Sequence, residues 1–209
     1  MSYHEEQETL EEVKAWWARW GNLVTWVALI VLVALAAYNG WNYWQRREAA
    51  RGAQLYEQLQ AAAAANDKAK VARIAADMES NFARTPYAPM GGLTAAAALQ
   101  RAGDAAGAKA QLQWVVDHSG DAAYRDVARL RLAGLLLDEK AYAQGLALLD
   151  KAPVATFEGL FADRRGDLLQ ASGQRDKARD AYRLALAKLP ASDASLKELV
   201  QFKIDANGG

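Results

Sequence analysis

Cysteine is absent from the chain, which excludes disulfides, thiolate metal sites and cysteine nucleophiles. Histidine is almost absent, at His4 and His118 alone, and no H-E-x-x-H motif or Asp-rich calcium loop occurs. Proline appears only at 86, 89, 153 and 190, and β-branched residues thin out in the Ala-rich C-terminal part. That composition predicts an all-α fold. Net charge is also missing, because 25 Lys and Arg balance 25 Asp and Glu. No basic field is available to attract nucleic acid. The most informative absence is local: between Arg19 and Arg46 there is no charged residue.

Inside that gap Leu23 to Tyr38 reads LVTWVALIVLVALAAY. A helix needs roughly 20 apolar residues to cross the hydrocarbon core of a bilayer, and the gap supplies them. Leu23, Val27, Ile30, Val31, Ala34 and Tyr38 form the body of this anchor. Trp20 precedes it and Trp41 and Trp44 follow, where amphipathic rings settle at the lipid–water boundary. Thr25 is the polar interruption, and its hydroxyl can bond back to the helix. A buried helix of a soluble domain is the first rival, but it seldom carries aromatic rims and a charged tail. A cleaved signal peptide is the second, with Ala34-Leu35-Ala36 as a small-x-small site. Against it, the preceding tail is long and acidic (Glu5, Glu6, Glu8, Glu11, Glu12), whereas a secretory leader begins short and basic. Flanking charge argues weakly about orientation. Arg46, Arg47 and Arg51 outnumber Lys14 and Arg19, yet large domains cross despite such bias.

The chain therefore divides into an acidic tail (1–20), a membrane helix (21–45), a helical stalk (46–66) and a helical domain (67–209). Breaks are expected at Asn66-Asp67, Thr85-Pro86, Gly103-Asp104, Ser119-Gly120-Asp121, Asp138-Glu139-Lys140, Pro153, Ser172-Gly173 and Pro190. The clearest unit, Gly159 to Pro190, is similar to a 34-residue tetratricopeptide repeat. Gly166, Leu169, Ala178, Tyr182, Ala185 and Pro190 supply its small, bulky, small, aromatic, small and proline positions. Small residues let two helices approach and bulky ones fill the gap between them. One repeat back gives Ala133, Leu136, Gly145, Leu149 and Ala152; the next gives Ala96, Leu99, Ala108, Leu112 and Val115. A fourth, degenerate match is Leu59, Ala62, Val71, Ala75 and Met78. The architecture expected is one transmembrane helix followed by an α-solenoid of about four degenerate hairpins.

Little in the sequence carries catalytic chemistry. Asp117-His118-Ser119 holds the ingredients of a triad, but sequence neighbours cannot adopt that geometry, and His118 reads as a helix-end cation. Gly103 to Lys109 faintly echoes a phosphate loop but lacks the spacing, the hydroxyl and the strand, so it reads as an interhelical turn. The inner faces of the first helices bring forward Met90, Leu93, Val127, Leu130, Leu137 and Leu160, with Arg101, Asp138, Asp163 and Asp167 as a charged rim. An apolar groove with such a rim suits a segment of a partner protein, unless the next helix or the C-terminal one covers it.

The combination resembles the YfgM family, ancillary subunits of the bacterial SecYEG translocon. The stretch EEQETLEEVKAWWARWGN before the span and GQRDKARDAYRLALAKLP in the last repeat carry the resemblance, which extends over essentially the full chain. It implies a single-pass inner-membrane protein, with its N-terminus cytoplasmic and its repeats periplasmic. The partners implied are the SecYEG translocon, a membrane-anchored periplasmic chaperone of the prolyl-isomerase type and, as clients, exported polypeptides. It implies a non-catalytic adaptor with no cofactor, and no functional residue transfers because no catalytic motif defines the family. The rival reading is a membrane-anchored regulatory scaffold that binds a signalling protein through its cytoplasmic tail.

Overall fold

The computed structural model describes residues 2–208, and side chains from residue 11 onward except that of 12. His4, Glu5, Glu6, Glu8 and Glu12 of the acidic tail are thus outside the described side chains. Among the described residues there are nine α-helices and no strand: α1 (Ser2–Ala64), α2 (Lys68–Asn81), α3 (Tyr87–Arg101), α4 (Ala105–His118), α5 (Ala122–Asp138), α6 (Tyr142–Leu148), α7 (Glu158–Ala171), α8 (Arg175–Lys188) and α9 (Ala194–Ala206). The chain forms two units, Met1–Glu48 and Ala49–Gly209.

The first unit contains the part of α1 that is long and apolar enough to cross a membrane. Its side chains are not buried against protein: Ile30 is 64% exposed, and Leu23, Val27, Val31 and Tyr38 are open as well. A soluble core helix would hide these residues, so lipid is the environment that matches them. Ala34 is exposed too, as are the rim residues Trp20, Trp41 and Trp44. The Thr25 hydroxyl donates to Gly21 O at 2.8 Å, which satisfies the polar group inside the helix as hydrocarbon requires.

In the second unit the last turns of α1 act as the first helix of a hairpin. Leu59 and Ala62 are buried with Val71, Ala75 and Met78 of α2. The pairs α3–α4, α5–α6 and α7–α8 follow, each packed on its neighbours in chain order. Ala96, Leu99, Ala108, Leu112 and Val115 are buried in the second pair; Ala178, Tyr182 and Ala185 join Leu169 in the last. Gly166 is buried and Pro190 exposed, immediately after α8 ends.

The hairpin turns have local causes. Asp67 caps α2 by accepting from Lys70 N–H at 3.0 Å, and Asp104 and Asp121 cap α4 and α5 from Gly107 N–H and Ala123 N–H. Gly103 and Gly173 end α3 and α7 with φ of 75° and 82°, a region that costs glycine no steric penalty. The phosphate-loop echo at 103–109 is therefore a turn with a capped helix start.

The third hairpin departs from the spacing. α6 has only seven residues, and Ala152, expected as a packing position, is exposed in the following loop. Side chains from elsewhere take over the hydrogen bonds that the missing helical turns would have made. Asp126 Oδ2 accepts Val154 N–H at 2.8 Å, and Arg165 donates to Leu149 O at 3.1 Å. Asp126 is held by Arg129 at 2.9 Å, in an ion pair whose side chains are 3% and 7% exposed.

Candidate protein-interaction surface

The first helices α3, α5 and α7 present Met90, Val127 and Leu160 half-buried on one face. Leu93 does not join them as an open lining residue. It is buried in the core, and the exposed Arg131 donates across to its carbonyl at 3.1 Å. Leu130 and Leu137 pack partly buried on the Ala133–Phe161 cluster between α5 and α7. Arg164 lies across Gly134, where a Cβ would stand 3.6 Å from its Cζ. Arg101 and Asp138 remain at the ends of α3 and α5, both exposed.

The expected acidic rim on α7 is not free for a partner. Lys203 of α9 places Nζ 2.7 Å from both Asp163 and Asp167. The Tyr182 hydroxyl lies 3.0 Å from Asp167 Oδ1 and 2.7 Å from Gln170 Oε1, able to donate to one at a time. Burial pushes the Asp163 carboxyl up, with Lys203 opposing and neighbouring Asp167 reinforcing the shift. Tyr182 is likewise pushed up, first by burial and then by Asp167. These groups clasp α9 onto the last hairpin, so the C-terminal helix covers Asp163 and Asp167. Sequence spacing missed this because the ion pairs join residues 36 and 40 positions apart.

On the second-helix side, shortened α6 leaves a cleft of about 580 Å³ between α4, α5 and α6, floored by Leu132 and Leu136 and edged by Lys109, Gln113 and Leu148. Only the unusually early Pro153 hinted at that feature in the sequence.

His118 is exposed, with Nδ1 3.0 Å from Trp114 O and its ring stacked on Trp114 at 4.9 Å. Asp117 instead accepts from Gln113 at 3.0 Å, and the Ser119 hydroxyl donates to Asp121 O at 3.2 Å. The three neighbours are thus turned to separate partners, not aligned as a triad. Among the described residues no group of His, Asp or Glu could hold a metal ion.

Glu79 on α2 faces Gln111 and His118 of α4, and burial raises its carboxyl despite both neighbours. Its Oε1 and Gln111 Oε1 are buried without a donor. A raised folded-state value means the protonated form favours folding, and that contribution is lost as pH rises through it. Glu79→Gln is therefore expected to raise the melting temperature at pH 7 relative to wild type. The gain should disappear by about pH 4, where the wild-type carboxyl is also largely protonated in both states. Parallel thermal melts at the two pH values check this.

These observations define a membrane-anchored helical repeat protein. A family model described as tetratricopeptide repeat-like domain matches residues 14–209, and the chain belongs to that family. A curated relative, the ancillary SecYEG translocon subunit of Neisseria gonorrhoeae (strain ATCC 700825 / FA 1090), is 34% identical over 99 residues. The match covers 47% of this chain and 47% of the relative, about half the length of each. Both findings support the YfgM-like family read from the sequence. No solved structure matches.

Proposed function

We propose that this chain is a non-catalytic ancillary subunit of the SecYEG translocon in a bacterial inner membrane. The relative's name supports the partner, and the exposed apolar length of α1 supports the location. The tail (1–20) lies in the cytoplasm, the helix (21–45) crosses the bilayer beside the channel, and the stalk and repeats (46–209) stand in the periplasm. There the open part of the inner face, with Met90, Val127 and Leu160 between Arg101 and Asp138, docks a membrane-anchored chaperone of prolyl-isomerase type or emerging polypeptides.

The observation that carries the reading is one lipid-matched helix joined to a domain of stacked helical hairpins. Photocrosslinkers at Val31, Met90 and Val127 in intact cells should capture translocon subunits from the first position, and chaperone or exported chains from the other two. Failure to capture translocon subunits or chaperone from any of the three positions contradicts the proposal. Removal of residues 2–14 should leave these crosslinks in place; their loss would favour the tail-based scaffold. Protease added to spheroplasts should digest the repeats, and protection would reverse the orientation.

A further inference from the structure

In each of the four hairpins the first helix turns a small or apolar face toward its own second helix. Leu59 and Ala62, Ala96 and Leu99, Ala133 and Leu136, and Gly166 and Leu169 occupy that face, and all are buried. α9 follows α8 as the first helix of a further hairpin would, burying Val200 and Ile204 against the last pair. Its opposite face is apolar and open, with Leu199 50% and Phe202 69% exposed. Ser195 and Ala206 extend the stripe by one turn at either end, and both are exposed. No described helix covers it. Glu198 and Asp205 run along one edge, exposed, and neither pairs with a described Lys or Arg; the Asp205 carboxylate accepts from Gln201 at 2.8 Å.

We propose that this face of α9 receives an amphipathic α-helix from a partner protein, with Lys or Arg on the flank that meets Glu198 and Asp205. A helix is the occupant because every preceding first helix is covered by one, at the spacing that ridges-in-grooves packing sets. Phe202 and Leu199 are the anchors such a helix would bury. The acidic edge selects a basic flank and disfavours two alternatives. An antiparallel second copy would set acidic edges against each other, and an anionic lipid surface would be repelled. The proposal rests on the α9 surface alone and stands or falls separately from the translocon reading.

Because the chain lacks cysteine, Ser195→Cys can carry a single environment-sensitive fluorophore beside the stripe. The full chain in phosphatidylcholine nanodiscs is titrated with a synthetic Leu-faced helix of about five turns, flanked by Lys or, in a second peptide, by Glu. The Lys-flanked peptide should give a saturable shift, and the Glu-flanked peptide should bind about tenfold more weakly or worse. Leu199→Ser with Phe202→Ser should abolish the shift. Glu198→Lys with Asp205→Lys, which alters only exposed side chains, should reverse the peptide preference at an unchanged melting temperature. Equal binding of both peptides, or a shift that survives the double serine variant, overturns the proposal. So does a shift without peptide that grows with protein concentration, which would give the face to a second copy. A shift on adding phosphatidylglycerol vesicles alone would give the face to lipid and overturn the proposal as well.

Discussion

Arg129→Ala is expected to destabilise the repeat domain by about 3–5 kcal/mol, the range for removing one partner of a buried ion pair. The loss is large because Asp126 would stay in place, 3% exposed, with a full charge and only the Val154 N–H to satisfy it. That carboxylate also replaces the hydrogen bonds forfeited where α6 stops, so its disturbance loosens the loop leading into α7. The charge itself is not what the fold needs. Replacing both residues by apolar ones of similar volume, Asp126→Leu with Arg129→Met, should recover much of the loss, since both desolvation costs vanish together. Urea unfolding of the full chain in detergent, followed by circular dichroism, reads these differences from the midpoints. An Arg129→Ala variant within about 0.5 kcal/mol of wild type would show that the pair is solvated in solution.

Gly166→Ala carries the second large expected effect. A Cβ at this position would clash with Tyr182 Cε1, so a ring with no exposed surface must move. Its room to move is small, because the hydroxyl is fixed between Asp167 and Gln170. Overpacking of this kind costs about 1–3 kcal/mol, more than the helix propensity gained by replacing glycine. The control is Gly134→Ala on α5, where the new methyl meets Arg164 at an ordinary 3.6 Å. That variant should be neutral or stabilised by up to about 1 kcal/mol. In the Gly166→Ala background, Tyr182→Leu should cost less than it does alone, a coupling that a double-mutant cycle measures directly.

These two sites illustrate what the sequence made legible. Gly166 and Tyr182 were readable because the repeat imposes a size pattern at fixed spacing, and size is what a helix crossing constrains. The same spacing led back to Leu59, Ala62, Val71, Ala75 and Met78, all buried although no consensus residue marks them. The anchor was readable for a simpler reason, the uncharged length between Arg19 and Arg46. Asp126 was not readable, since its role depends on a backbone N–H 28 residues away and on where α6 ends. The α9 clasp was equally hidden: Lys203 looks like a surface lysine until folding places it between Asp163 and Asp167. Periodicity reports which face of a helix is buried, but it does not report which distant polar group closes over that face.

The central claim is that α1 holds a repeat-built adaptor at the export channel. Its most direct test is purification of the full chain through a tag on the repeat domain after gentle solubilisation of membranes. SecYEG subunits should co-elute with it, and should be lost when residues 21–45 are replaced by an unrelated apolar helix that still inserts. A full-length chain that elutes alone, under conditions that keep SecYEG itself intact, would contradict the account.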